Sequence, residues 1–546
     1  MRIWLLSFES KYTRKVGGLA EVPPSLAYEL NKLGHEAYVI VPSHGFVTWK
    51  KNELRLVFEN KTVYGNIEVY IYDKPEVPHI IIGGGVLEDP EVYSPRTMYD
   101  KIRLFSTGLR LYVEHLLEKN IFPDIVHGND WHSVPVIISL KSVLDIPLDK
   151  KKTKYIYQIH LLSKHKFSLE DISSNIGVDQ ETVVTGTYGA RTIREYYELS
   201  SGYADRLGGL LSDTVVTVSK NYVREVIRRI GLDLENRIDY IPNASPWKLD
   251  DVIKEVAIYH KDNIIQNILS NEKMVLENKH VLRDYLLRKA IGNLQEDEPI
   301  IQLSNIRELI YKIDIPPFIG KGKVEAFKDY GPLVLMTGRL TRQKGFHLLY
   351  KAIDQLVQLL PEIKILVLTL PVWGSEQLIN DMVELAILYR ENVRVILGIA
   401  RSIYKLAYLA SNALLAPSLY EPFGLMALEA MAVGTPVVAS RTGGLAETIL
   451  DILEHGVLGT GLLFESGNIE EMVNRIVDLV LLIELARYRE WSKEWLNVLY
   501  RINNERIIEL ILSNPKAPKL IMDSCIRRSL DYNWRNSALK ALKIYA

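Results

Sequence analysis

Apolar runs alternate with stretches of helical periodicity in two parts of this chain, and that alternation is the main structural signal. In the first part, residues 3–8 read as a buried strand, 20–33 as a helix closed by Gly34, and 37–41 as a second strand. This is a βαβ unit. Residues 125–126, 155–159 and 214–219 read as further strands of the same sheet. The second part restarts at 333–337 and continues as helix 346–360, strand 363–370, helix from 376, strand 393–396 and helix from 403, with apolar runs at 413–416 and 436–439. Such regular strand–helix alternation predicts an α/β protein with parallel sheets. Between the two parts, 248–330 is rich in charged and amide residues with weak periodicity, and reads as helical linker plus insertion. The expected divisions are 1–247, 248–330, 331–515 and 516–546.

Composition narrows the function classes. The chain has 546 residues, 47% of them hydrophobic, enough for two or more ordinary domain cores. Lys and Arg number 66 against 67 Asp and Glu, a net charge of -1, so there is no bulk electrostatic case for nucleic acid or an anionic membrane. Any anion site must therefore be local. The first apolar run is cut short by Glu9 and suits a strand rather than a signal peptide, and the run at 476–485 is too short to span a bilayer. A single cysteine, Cys525, excludes intrachain disulfides and a thiolate zinc site and fits a reducing cytoplasm.

The candidate chemistry lies in the turns. Glu421 and Glu429 sit eight positions apart at a strand-to-helix turn shaped by Pro422 and Gly424, with Thr442, Gly443 and Gly444 opening the next turn. In an open parallel sheet, ligands bind beyond the carboxyl ends of the strands, so these carboxylates are placed to meet one; each alone could equally favour a helix N-terminus. The loop after the first strand carries Lys15, Gly17 and Gly18. Paired glycines there let a bound anion approach the backbone, though a tight turn with a solvated lysine would look the same. The spacing is not G-x-G-x-x-G, so a nicotinamide cofactor has little support.

Taken together, these turns resemble signatures of the glycogen and starch synthases. Lys15, Gly17, Gly18 and Leu19 are similar to the Lys-x-Gly-Gly-Leu segment of that family. Gly338 to Gly345 resembles its basic phosphate loop, Pro417 to Gly424 its Glu-Pro-x-Gly turn, and Arg441 to Thr448 its second glycine-rich turn. His127, Asp130, Trp131 and His132 match its His-x-x-Asp-Trp-His segment, and Tyr532 to Trp534 its C-terminal aromatic. The resemblance implies a GT-B fold: two facing Rossmann-like domains, an active site in the cleft between them, and a C-terminal segment, 516–546, returning to the first domain. It implies retaining transfer of glucose from ADP-glucose or UDP-glucose to the non-reducing end of an α-1,4-glucan.

The resemblance also assigns roles. Arg339 and Lys344 would stabilise charge on the departing diphosphate, with Lys15 reaching the phosphates or the transferred glucose. Gly18, Gly443 and Gly444 would offer backbone donors, Thr442 would join the donor contacts, His160 and Glu421 would hold the glucose, and Glu429 the ribose. Asp130, Trp131 and His132 would line the acceptor side, where Trp131 can stack on a sugar face. No Asp-x-Asp motif is present, and no metal or other cofactor is expected.

Some positions depart from the family pattern. Glu21 replaces a usual Asp and Glu429 a frequent Tyr, as in archaeal members or wider Glu-x7-Glu transferases, leaving the donor base open. Asn243 and Trp247 remain of a hinge segment that has lost its Asp, and about 294–328 is extra length. The alternatives are a transferase making a small glycoside such as sucrose, trehalose or a glycolipid, and a non-catalytic glucan-binding protein. The oligomeric state is open.

Overall fold

The protein is described by a computed structural model over residues 1–62, 65–145, 153–301, 304–312 and 324–546. It divides into unit 1, residues 1–243 and 533–546, and unit 2, residues 244–532.

In unit 1 the strands are β1 (Arg2–Leu6), β2 (Glu36–Pro42), β3 (Arg55–Thr62), β4 (Gly65–Tyr72), β5 (His79–Gly83), β6 (Ile125–Asn129), β7 (Lys154–Ile159), β8 (Val183–Gly186), β9 (Gly189–Thr192), β10 (Thr214–Thr217) and β11 (Ile238–Tyr240). Nine of them form one sheet in the order β11-β10-β7-β6-β1-β2-β5-β4-β3, while β8 and β9 make a separate hairpin. From β11 to β5 the neighbours are parallel; β4 and β3 add an antiparallel edge. Ile3 faces Ala37 on one side and Ile125 on the other. Residues 3–6 are buried throughout because helices cover both faces of a parallel sheet, and a continuous apolar run is what such a strand requires. Helix Val22–Lys32 packs Leu26, Ala27 and Leu30 into this core, and helix Trp534–Tyr545 adds Ala538, Ala541 and Tyr545. The Tyr545 hydroxyl lies 2.7 Å from His127 Nδ1, and Lys154 Nζ donates to the Ile544 carbonyl at 2.8 Å.

Unit 2 holds β12 (Leu333–Arg339), β13 (Lys364–Leu370), β14 (Val393–Leu397), β15 (Ala413–Ala416), β16 (Val437–Ser440) and β17 (Gly461–Phe464), all parallel, in the order β14-β13-β12-β15-β16-β17. The chain order reverses between β12 and β15. That switch point opens the crevice where an open α/β sheet takes its ligand.

Two expected divisions differ from the structure. Leu249–Tyr259 and the helices that follow it up to Asn293 belong to unit 2 rather than to a linker. Buried cations fasten this stretch: Lys279 Nζ donates to Thr435 Oγ1 at 2.6 Å, and Arg283 reaches the Ala410 carbonyl at 2.9 Å and Glu484 Oε2 at 2.5 Å. Helix Ala517–Asp531 also stays with unit 2, since Ile521 and Met522 join its core, so only 533–546 belong to unit 1. Residues 302–303 and 313–323 of the expected insertion lie outside the described residues.

Candidate active site

In unit 1 the loop after β1 is organised by a carboxylate that the sequence reading overlooked. Glu9, 2% exposed, accepts the N–H groups of Val16 at 2.6 Å and Gly17 at 2.9 Å on one oxygen, and the Tyr93 hydroxyl at 2.8 Å on the other. The N–H groups of Val16 and Gly17 are therefore satisfied within the loop. Gly18, exposed, opens a 3-10 turn (Gly18–Glu21). Lys15 is exposed and its ammonium lies 2.6 Å from Glu21, with Lys11 3.4 Å from the same carboxylate. Burial pushes the Glu21 carboxyl up, but Lys15 and Lys11 outweigh it and hold the group below its ordinary value.

Asp130, at φ 58, fixes the turn after β6. Its Oδ1 accepts the backbone N–H of His160 at 2.7 Å and of Leu161 at 3.3 Å, and burial raises the carboxyl to about 7 despite those bonds. His160 Nε2 is 2.8 Å from Asn129 Oδ1, while Asn129 Nδ2 donates to the carbonyls of Leu6 at 2.9 Å and His127 at 3.3 Å. With its amide committed to two acceptors, Asn129 can only accept from His160. The ring is thus protonated at Nε2, burial holds it neutral with a pKa near about 3, and Nδ1 is left as an acceptor. Asn129, not singled out in the sequence, sets the tautomer.

The expected acceptor residues fare differently. His132 stacks on Phe8 at 4.6 Å, both its ring nitrogens are buried without a hydrogen bond among the described residues, and burial drives its pKa well down. Its ring belongs to a packed aromatic stack with Phe8, Trp131 and Tyr93. Trp131 is 6% exposed, with His165 stacked on it at 3.7 Å. The accessible rings here are His165 and Tyr99, whose hydroxyl is 3.2 Å from His165 Nδ1. Neither was marked by the sequence reading, since single aromatics without spacing carry no signal.

In unit 2, the loop after β12 and the turn after β15 are stapled together. Gln343 donates to the Tyr420 carbonyl at 2.8 Å and accepts the Leu419 N–H at 2.8 Å. Lys344 Nζ lies 2.5 Å from Glu421 Oε2, which also accepts the Ser418 hydroxyl at 3.1 Å; both members of the ion pair are largely buried. Arg339, at the end of β12, is exposed and has no hydrogen bond or ion pair among the described residues. Arg441, in contrast, is surrounded by Asp451, Glu454 and Glu465. One free guanidinium therefore stands beside a paired ammonium at the switch point.

Glu429 lies in the second turn of helix Leu425–Ala432, where the Tyr408 hydroxyl approaches it at 3.4 Å and Thr337 on β12 at 2.8 Å. Trp247 packs edge-on against Tyr408 at 4.9 Å. The glycine-rich turn corrects one expectation. The N–H of Gly444 donates to the Glu421 carbonyl at 2.9 Å and so is not offered to a ligand, while that of Thr442 donates to the Ser440 carbonyl at 2.9 Å. A Cβ at Gly443, φ 44, would stand 2.1 Å from the Glu421 carbonyl oxygen. The glycines let this turn press against the Glu421 turn and hold it in place.

Residues 2–239 match the family model described as the starch synthase catalytic domain, and residues 321–494 that described as glycosyl transferases group 1. A glycogen synthase of Hydrogenobaculum sp. is 24% identical over 556 residues, spanning 100% of this chain and 98% of that protein. Glycogen synthase 2 of Geobacter metallireducens is 26% identical over 485 residues, 85% of this chain and 88% of the relative. The fold is shared with the catalytic domain of Starch Synthase IV from Arabidopsis thaliana, solved with ADP and acarbose, at a TM-score of 0.69, 19% identity, and coverage of 100% of this chain and 98% of that one. Among the described residues, no helix is long and apolar enough to cross a membrane.

Proposed function

We propose that this chain, which belongs to the glycogen and starch synthase family of GT-B glycosyltransferases, transfers glucose with retention from ADP-glucose or UDP-glucose to the 4-hydroxyl at the non-reducing end of an α-1,4-glucan. The observation that carries this reading is the switch-point arrangement in unit 2, with Arg339 unpaired and Lys344 held 2.5 Å from Glu421. As the sugar–oxygen bond breaks, negative charge grows on the leaving diphosphate, and fixed cations there favour the transition state over the ground state. Arg339 suits bidentate contact with phosphate oxygens and Lys344 supplies a compact charge. When phosphate draws Lys344 away, Glu421 is released toward the sugar hydroxyls. Glu429, steadied by Tyr408, accepts from the ribose. In unit 1, neutral His160 offers its Nδ1 lone pair to a sugar hydroxyl, and Lys15 is a further cation for the donor.

With side chains meeting the diphosphate, the reading assigns no metal and no other cofactor, and places the reaction in the cytoplasm. Purified protein given a labelled maltooligosaccharide and ADP-, UDP- or GDP-glucose is expected to yield a ladder of single-glucose additions that survives EDTA. A single small glycoside instead of a ladder would favour the small-product transferase. No transfer from any donor, together with tight glucan binding, would favour the non-catalytic reading. Loss of activity in EDTA that magnesium restores would overturn the metal-free assignment.

A further inference from the structure

The chain leaves β7 without entering a helix or strand over residues 160–163, so the half-buried N–H groups there have no backbone ladder to join. Side chains take them instead. The N–H groups of His160 and Leu161 donate to Asp130 Oδ1 at 2.7 and 3.3 Å, that of Leu162 to the Tyr222 hydroxyl at 2.8 Å, and that of Ser163 to Asp205 Oδ2 at 2.6 Å. Four consecutive donors are thus met by side chains from the turn after β6, helix Lys220–Ile230 and helix Ala204–Leu211.

Asp205, 4% exposed, is the far anchor of this segment. An aspartate in the first turn of a helix commonly serves the helix N-terminus. Here both hydrogen bonds lead out of the helix: Oδ2 accepts the Ser163 N–H, and Oδ1 accepts the Tyr157 hydroxyl of β7 at 2.7 Å. Gly208 permits the second contact, because a Cβ there would stand 2.7 Å from Tyr157 Cε1. One carboxylate therefore ties the strand that delivers His160 to the end of the segment that follows it. Asn129 and Asp130 hold the other end, at the His160 ring and N–H.

We propose that Asp205 is a positioning residue for His160, which rests on the reading above that this ring meets the transferred glucose. Held at both ends, the segment keeps His160 Nδ1 aimed at one sugar hydroxyl. Asp205 acts through the segment and not on the substrate, so it affects the sugar step and leaves the affinity of unit 2 for the nucleotide alone. A misplacement of about 1 Å can cost about 10² in rate, and losing one anchor of three should cost less.

Transfer of labelled glucose to a maltooligosaccharide, followed at saturating donor on the full chain, tests this. Asp205→Ala is expected to lower kcat by about tenfold or more, with inhibition by the product nucleoside diphosphate within about twofold of wild type. Asp205→Asn keeps an oxygen acceptor for the Ser163 N–H and should stay within about threefold of wild type. In a His160→Ala background, with no ring left to place, Asp205→Ala should change kcat by no more than about twofold. Wild-type turnover in Asp205→Ala, an equal loss in both backgrounds, a matching loss of diphosphate inhibition, or Asp205→Asn as impaired as Asp205→Ala would overturn the assignment. If Asp205→Ala does not melt cooperatively, Tyr222→Phe decides, because it removes the acceptor of the Leu162 N–H. A fall of about fivefold that vanishes in the His160→Ala background supports the same restraint, whereas no fall, or an equal fall in both, overturns it. His160→Ala turning over as wild type does would overturn the sugar role of His160 and the positioning role with it. Wild-type protein that transfers from no donor overturns the donor reading as well.

Discussion

The two units build their candidate sites from opposite materials. Apart from the Lys15–Glu21 ion pair, unit 1 is rich in buried, neutral, hydrogen-bonded groups: burial holds His44 and His160 at about 3 and His79 and His127 at about 4, and raises Asp130 to about 7 and Asp205 to about 6. Unit 2 places full charges at its ligand edge, with Lys344 against Glu421 and Arg339 unpaired. The difference assigns a division of labour in the proposed reaction: the buried groups of unit 1, His160 foremost, orient uncharged hydroxyls, and unit 2, with Lys15 as the one cation added from unit 1's site, answers charge that appears as the donor breaks.

The largest expected effect breaks the charged side. Lys344→Gln should lower turnover by about 10²–10³, the cost of about 2.7–4 kcal/mol for losing a preorganised charge-stabilising group. It should also lower the melting temperature, because Glu421, 7% exposed, is left without its cation. Turnover within about threefold of wild type at saturating donor would reduce the pair to a structural salt bridge.

The carboxylates sharpen the same comparison. Glu421→Ala should depress turnover with little change in nucleotide affinity. Glu429→Ala should instead raise the donor KM by about 10–150-fold, the equivalent of about 1.5–3 kcal/mol for a hydrogen bond to a charged group. Steady-state kinetics showing the reverse would mean that the two roles are exchanged.

On the neutral side the effects are smaller. Asn129→Ala removes the acceptor that fixes the His160 tautomer, and kcat/KM should fall by about 2- to 13-fold, matching about 0.5–1.5 kcal/mol for a neutral hydrogen bond. Asn129→Asp keeps an acceptor at that position, so it should recover much of the loss and move the acid limb of the pH profile upward by favouring the imidazolium. Equal defects in both variants would indicate packing rather than tautomer control.

These contrasts also explain what could be read from the chain itself. Strand–helix alternation in unit 2 was legible because each strand there is a continuous buried run, as at Ala413–Ala416, and each turn carries charges or glycines at strand ends. The antiparallel edge of β3 and β4 was not, because β3 is largely exposed and mixed in character and β4 breaks its buried Ile67, Val69 and Tyr70 with the polar Glu68. Lys344 and Glu421 were legible from position after a strand, whereas Gln343, which joins their two turns, gave no signal because an amide in a loop is unremarkable. Glu9 and Asn129 escaped notice for the same reason: their partners are backbone groups brought close only by the fold. The motif marks Trp131 and His132 but not that His165 and Phe8 stack on them, because burial by tertiary neighbours leaves no trace in local sequence.

The smallest expected effect is on stability with pH. Five buried histidines, His44, His79, His127, His132 and His160, titrate in the folded chain below the unfolded value of about 6.5, so their stabilisation is complete above that value and is lost as pH falls, for all but His132 through about 3–4. Asp130 and Asp205 act oppositely: raised above the unfolded value of about 3.9, their contribution is complete below it and is lost as pH rises through about 6–7. Five groups outweigh two, so hydrogen exchange should show unit 1 opening more readily at pH 5.5 than at pH 7.5, by a larger margin than unit 2. Unit 1 growing more protected at pH 5.5 would contradict this.

The central claim, that unit 2 meets the departing diphosphate with preorganised positive charge, is tested most directly by Arg339→Gln, because Arg339 has no partner among the described residues whose loss could disturb folding. Turnover should be measured at saturating nucleotide sugar alongside thermal melting. A fall of about 10²–10³ with an unchanged melting temperature is expected. Turnover within about threefold of wild type, where a surface charge contributing about 0–1 kcal/mol would leave it, would contradict the claim even with the family membership intact.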